Sequence, residues 1–253
     1  MEIEFLGTGT SQGVPIIGCK CPVCNSLDFR DKRMRSSIFI KVNNKNFIID
    51  TGPDFRSQLL RAKVDKLDAV LITHPHRDHL SGLDDIRAFN FIQDKVMPVY
   101  ANSNTIEQIN KEFYYCFKEP KYPGVPNIKL FTVGDQPFYF DDVKIIPIKA
   151  LHYKMPILGF RINNFTYLTD ASFLEESEIN KIIGSDVFVI NALRKKEHLS
   201  HFTLAQALDI IKIVNPKQAY LTHIGHQMGF HSQVQDSLPK NVYLAFDGLK
   251  LNF

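Results

Sequence analysis

Long apolar runs are missing from this sequence. No segment could span a bilayer, and nothing before Gly7-Thr8-Gly9 has the apolar stretch of a secretory leader. The expectation is a soluble, cytoplasmic protein without a membrane partner. Charge of one sign is scarce as well: 30 Lys and Arg stand against 27 Asp and Glu, leaving a net +3. The basic residues are spread out apart from short clusters at 30–35 and 194–196, which read as solvated surface. So small an imbalance gives no reason to expect a stable nucleic-acid partner. Low-complexity stretches and internal repeats are absent too, which argues against a repeat architecture. Cysteine is limited to four residues, three of them packed into one loop. What remains is a chain of 253 residues, 44% hydrophobic, enough to bury the core of one α/β domain over 1–253.

Short β-branched runs alternate with helical patterns. Ile3–Leu6 predicts a strand, and Ser37–Val42 with Asn46–Asp50 predict a hairpin turning at 43–45. Ala69–Thr73 is almost continuously apolar, as for a strand buried on both faces, and it runs straight into His74. Helices are predicted over 54–62, 83–91, 104–117, 173–182 and 204–214, and further strands near 144–148, 159–162, 166–168, 187–190 and 219–221. This order, with histidines at strand ends, points to two sheets covered by helices.

Thr73-His74-Pro75-His76-Arg77-Asp78-His79 is the densest chemistry in the chain. A lone histidine is usually a satisfied core or surface residue. Three imidazoles and a carboxylate within one short loop reverse that expectation. Nitrogen and carboxylate oxygen are donors for zinc, manganese or iron(II), and such crowding suits two ions better than one. Gly18-Cys19-Lys20-Cys21-Pro22-Val23-Cys24 concentrates thiols within the loop 18–25. In a reducing compartment, closely spaced thiols bind metal more often than they pair, so a structural zinc is expected there. Cys116, among Phe113, Tyr114, Tyr115 and Phe117, reads as an ordinary buried residue. Gly7-Thr8-Gly9 is followed by Pro15 and the cysteine loop instead of a helix, which excludes a nucleotide-binding glycine loop.

The pattern His74-x-His76-x-Asp78-His79, after an apolar strand and before Leu80-Ser81-Gly82, resembles the signature of the metallo-β-lactamase superfamily. The resemblance implies an αββα sandwich, two mixed β-sheets flanked by helices, and the remaining positions of its motifs occur in order. Asp50 before Thr51-Gly52 matches a carboxylate that supports the metal loop, although alone it reads equally as a turn-capping residue. His152, Asp170 and His223, each ending a predicted strand, match later ligands, with Asp170 bridging. By this analogy His74, His76, His152 and Asp170 hold one ion, and Asp78, His79, Asp170 and His223 the other. The same match supplies His226 as fourth ligand beside Cys19, Cys21 and Cys24, with His231 as second choice.

Together with Leu6-Gly7-Thr8-Gly9-Thr10-Ser11-Gln12-Gly13-Val14-Pro15 and the cysteine loop, these motifs resemble the phosphoribosyl cyclic phosphate phosphodiesterases over nearly the whole chain. That resemblance implies a metal-dependent phosphodiesterase with two Mn²⁺ or Zn²⁺ ions in the active site. Its expected substrate is a small phosphorylated molecule such as 5-phosphoribosyl 1,2-cyclic phosphate. It also implies a general acid outside the metal shell, for which His201 matches better than His198. An imidazole of near-neutral pKa is expected in that role, while Asp78 orients the nucleophile as well as binding metal. Arg87 and Arg194 are candidates to hold a second phosphate, although surface charge is the favoured reading of each. Related readings are a lactonase or thioesterase, a tRNA-processing nuclease, whose flexible Gly/Pro/Lys-rich arm has no counterpart here, and a non-catalytic zinc protein. A homodimer is compatible with all of them.

Overall fold

The computed structural model describes residues 1–120 and 122–253. In chain order, β1 (Glu2–Gly7), β2 (Ser37–Val42), β3 (Lys45–Ile49), β4 (Ala69–Leu71), β5 (Met97–Ala101) and β6 (Ile128–Thr132) form one sheet. A second contains β7 (Phe138–Phe140), β8 (Val143–His152), β9 (Met155–Ile162), β10 (Phe165–Leu168), β11 (Val187–Asn191), β12 (Gln218–Thr222) and β13 (Val242–Leu244). The chain then returns to the first sheet, where β14 (Lys250–Asn252) pairs antiparallel with β1. Both sheets mix parallel and antiparallel pairs.

Side-chain alternation explains the layering. In β2 to β4, Ile38, Ile40, Phe47, Ile49, Ala69 and Leu71 enter a core shared with Phe160, Phe165, Tyr167 and Val189 of the other sheet. Their alternates Ile48, Val70 and Ile72 enter a separate core with Phe55, Leu59, Phe89 and Ile109. Those four come from α1 (Phe55–Ala62), α3 (Arg87–Gln93) and α4 (Ser103–Glu112), α2 being the short Arg77–Leu80 turn. Phe188, Ile190, Ala219 and Leu221 face outward instead, toward α5 (Glu176–Ile182), α6 (Leu204–Val214) and α7 (His231–Asp236). A period of two thus feeds two cores from each sheet, producing helix, sheet, sheet and helix layers. This is the αββα order the resemblance implies.

Several predicted bounds shift. The helix expected over 173–182 starts at Glu176, because Phe173 pairs with Leu151 as an isolated bridge. The one expected over 83–91 divides into a 3-10 turn at Leu83–Ile86 followed by α3. α4 ends at Glu112, with a 3-10 turn at Tyr114–Cys116 completing the predicted span. α6 matches its predicted limits, fixed by a Thr203–Gln206 capping box and by Asn215 in a left-handed C-cap. Among the described residues, no helix is long and apolar enough to cross a membrane.

Candidate metal centre

Because β3 and β4 are parallel, and β8, β10 and β12 run in one direction, their carboxyl ends deliver side chains to one edge of the sandwich. Asp50 follows β3, His152 closes β8, Asp170 follows β10 and His223 follows β12. Asp50, Asp170 and His223 have φ of 68°, 61° and 53°. This left-handed region is uncommon outside glycine, although Asp and His enter it more readily than bulky or branched residues. Each position costs about 1 kcal/mol or more, so the fold holds local strain where the donors gather. Gly52 allows the metal loop to lie against β3: a Cβ there would stand 2.0 Å from the Asp78 carbonyl oxygen.

Two sets of donors match the sequence assignment, and His152, Asp170 and His201 form a third that overlaps both. His74, His76 and His152 form one, and Asp78, His79, Asp170 and His223 the other, with the ligand atoms of each set within 4.8 Å of one another. Asp170 stands between them. Its Oδ1 lies 2.7 Å from His223 Nδ1, and its Oδ2 lies 3.2 Å from His79 Nε2 and 3.5 Å from His74 Nε2. The geometry therefore brings together every active-site ligand expected from the sequence.

Neighbouring groups orient the rings. His79 Nδ1 meets Asp50 Oδ2 at 2.7 Å, leaving Nε2 3.0 Å from Asp78 Oδ2. Asp50 is locked in turn by the backbone N–H of Thr73 at 2.8 Å and by its hydroxyl at 2.9 Å. His152 Nδ1 lies 2.8 Å from the Asp170 carbonyl oxygen and 2.7 Å from that of Ser200, so its Nε2 points to the cluster. Two residues support the rings in ways the sequence did not indicate: Thr73, quoted there only as the start of the histidine motif, and Ser36, which was not singled out. Thr73 Oγ1 also contacts His74 Nδ1 at 2.9 Å, and Ser36 Oγ lies 3.3 Å from His223 Nδ1.

The donor set fits divalent cations on two observations. Nε2 of His74 and of His223 is buried without a hydrogen-bond partner among the described residues. Leaving such an atom unsatisfied costs about 1–3 kcal/mol, a penalty that coordination removes. The charges agree. Burial opposes ionisation of Asp170, yet His223 and His79 hold its carboxyl well below the ordinary carboxylate range. Asp78 is likewise held low by His79 against burial. His79 is raised against burial by Asp78, Asp170 and Asp50, whereas burial and His79 keep His74 neutral.

His201 stacks on this cluster, its ring centroid 4.8 Å from that of His223 and 4.6 Å from that of His152. The Phe202 N–H to the Ala171 carbonyl (2.8 Å) and the capping of α6 at Thr203 fix its place. The expectation of a near-neutral imidazole is corrected: burial, with His223, His152 and His198, pushes His201 down to about 3 against the pull of Asp170. His198 is exposed, its ring 5.0 Å from that of His201. Arg87 and Arg194 keep to the surface-charge reading. Arg87 pairs with Asp84 at 3.3 Å, and Arg194 is committed to the carbonyls of Lys196 and Glu197 and to Gln227.

A second constellation joins distant segments. His226 Nδ1 lies 3.4, 3.3 and 3.4 Å from the sulfurs of Cys19, Cys21 and Cys24. With Zn–S near 2.3 Å and Zn–N about 2.0–2.1 Å, tetrahedral zinc places nitrogen and sulfur about 3.5 Å apart, so the arrangement fits that ion. The Cys24 N–H, 3.4 Å from Cys21 Sγ, helps bring the Cys21 thiol down to about 6. His231 takes no part, since its Nδ1 faces the buried Arg33 guanidinium at 3.1 Å. Cys116 is buried in the core under α4, as expected. Gly7 serves close packing, because a Cβ there would stand 1.9 Å from the Arg35 carbonyl oxygen.

Residues 45–224 match the beta-lactamase superfamily domain. The chain belongs to this superfamily. An octanoyltransferase of Porphyromonas gingivalis is 40% identical over 253 residues, which cover 99% of this chain and 51% of that protein. Ribonuclease Z of a Nostoc species is 28% identical over 168 residues, 64% of this chain and 46% of that one. The chain spans about half the length of these curated relatives. Among solved structures of the superfamily fold, a new diphosphatase from the PhnP family superposes with TM-score 0.93 at 37% identity, covering 100% of this chain and 96% of that one. Zinc-bound PqqB from Methylobacterium extorquens, at TM-score 0.82 and 14% identity over the full length of both, shares the fold.

Proposed function

We propose that this superfamily member is a two-metal phosphodiesterase acting on a small cyclic phosphodiester such as 5-phosphoribosyl 1,2-cyclic phosphate. In this reading Mn²⁺ or Zn²⁺ is held by His74, His76, His152 and Asp170 in one position and by Asp78, His79, Asp170 and His223 in the other. A third ion, zinc, sits among Cys19, Cys21, Cys24 and His226 and stabilises the fold. The observation that carries the reading is His201, an additional imidazole packed on rings from both donor sets.

Paired divalent ions supply a nucleophile at neutral pH and offset charge on phosphate oxygens. The protein's own groups do the rest. Asp50 fixes the His79 ring, and the Asp170 and Ser200 carbonyls fix His152. Asp78 orients the attacking oxygen. His201 gives a proton to the departing alkoxide; the negative charge of the arriving phosphodiester raises the proton affinity of an imidazole beside it, the condition under which this ring carries that proton.

One other reading has a specific observation behind it. The PhnP-family neighbour, 37% identical over the whole of this chain, is described as a diphosphatase. A phosphate leaving group departs without a donated proton, so a diphosphate substrate would make His201 dispensable. The test is kcat/KM of manganese-loaded enzyme on 5-phosphoribosyl 1,2-cyclic phosphate, 2′,3′-cyclic nucleotides, a nucleoside diphosphate, a precursor tRNA and a lactone. The cyclic phosphate is expected to lead. A lactone or tRNA favoured by orders of magnitude overturns the proposal, and a favoured diphosphate selects the second reading.

A further inference from the structure

A cavity of about 540 Å³ adjoins the candidate metal centre, sharing His76 and His152 with it and lined also by Tyr153, Lys154, Met155, Leu199 and Ser200. Its size suits a small substrate. Of the residues lining it, Lys154 alone carries an aliphatic ammonium. That ammonium lies 5.3 Å from the Tyr153 ring centroid, and no carboxylate among the described residues pairs with it. Arg87 and Arg194, by contrast, spend their guanidinium groups on Asp84 and on the 194–197 loop with Gln227.

Tyr153 and Lys154 form the two-residue turn between β8 and β9, immediately after His152. Tyr153 has φ of 56°, a region that bulky residues rarely enter. The turn is nevertheless pinned: the Tyr153 N–H donates to Ser172 Oγ at 2.9 Å, and Leu151 exchanges backbone bonds with Ser172 and Phe173. A strained, anchored turn thus presents an aromatic ring and an uncommitted cation beside a proposed ligand. Leu199, which lines the same cavity, is 72% exposed, an apolar surface suited to the C–H face of a sugar.

We propose that this turn is the subsite for a second phosphate of the substrate. Lys154 holds the phosphomonoester, and Tyr153 braces the ammonium by cation–π contact while the scissile diester lies against the metal centre. A furanose carrying the two phosphoryl groups on opposite sides spans such a cavity. The inference rests on the phosphodiesterase reading and assigns Lys154 the place that sequence reasoning gave to Arg87 and Arg194.

The experiment compares wild type, Lys154→Met and Lys154→Arg on 5-phosphoribosyl 1,2-cyclic phosphate and on ribosyl 1,2-cyclic phosphate, which lacks the distal phosphate. The ratio of kcat/KM between the two substrates should fall about tenfold to a hundredfold in Lys154→Met, through KM, and recover in part in Lys154→Arg. An unchanged ratio in Lys154→Met overturns the subsite. A parallel measurement does not depend on turnover: ribose 5-phosphate should protect Lys154 of the metal-loaded protein from reductive methylation, read by mass spectrometry, whereas ribose should not. If neither cyclic phosphate is hydrolysed but protection is seen, the proposed reaction fails and the subsite stands. Absence of protection overturns the subsite whatever the reaction.

Discussion

His79 turns one edge of its ring to Asp50, Nδ1 to Oδ2 at 2.7 Å, and the opposite edge to Asp78 and Asp170. Both partners of the 2.7 Å pair are sealed from solvent. A carboxylate that touches no reacting atom thereby sets the direction of a proposed metal ligand.

Asp50→Ala should therefore weaken metal binding at the Asp78, His79, Asp170 and His223 position by about 10–100-fold without removing a ligand. Metal titration followed by activity measurement checks this, and excess metal should restore part of the rate. Unchanged affinity would show that Thr73 and packing orient the ring unaided.

His201→Ala should keep both active-site ions and lose about 10²–10⁴ in rate on substrates with alkoxide leaving groups, with a smaller loss on nitrophenyl phosphodiesters. His76→Ala and Asp170→Ala should lose metal together with activity. Elemental analysis beside kinetics separates the two behaviours; equal losses on both substrate types would give His201 a role in binding instead.

Cys21→Ser should lower zinc content and melting temperature before it affects chemistry, because structural zinc contributes folding energy. In the unmodified protein this ion should resist chelator longer than the other two. A zinc-free variant with unchanged melting temperature would remove the structural role.

Acid should destabilise the protein partly through His231. Burial, with Arg33 and Arg30, lowers its pKa from 6.5 to about 4. The folded state therefore binds fewer protons than the unfolded one between those values, so stability is full above pH 6.5 and declines toward pH 4, by at most about 3 kcal/mol. Urea titrations of wild type and His231→Gln across this range should show a shallower decline in the variant, even if it is weaker at pH 7 through loss of the Arg33 contact.

The sequence exposed elements whose pattern is both local and long enough. Ile38 to Val42 and Phe47 to Ile49 are β-branched and aromatic runs on either side of a turn at 43–45, and α6 announces its start with Thr203 and Gln206. Strands β7, β13 and β14 have three residues each, too few for periodicity to register, and β5 carries Pro98, which argues against a strand by propensity. The candidate site divides in the same way. His74 to His79 are adjacent in sequence, whereas Ser36 meets His223 across 187 residues and exists as a partner only in the folded chain. Arg87 and Arg194 stayed open between phosphate contact and surface charge, because sequence does not reveal the acceptors already occupying them.

The proposed donors are split between the sheets, with His74 to His79 reached from β4 and His152, Asp170 and His223 from β8, β10 and β12. During synthesis the first group leaves the ribosome long before His223 does. A growing chain thus offers an incomplete, weak set of ligands for most of its translation, and tight capture waits until the second sheet has formed. Metal acquisition becomes a late checkpoint on manufacture: a chain truncated before His223 would lack the complete centre, and loaded protein is protein whose two sheets have already met.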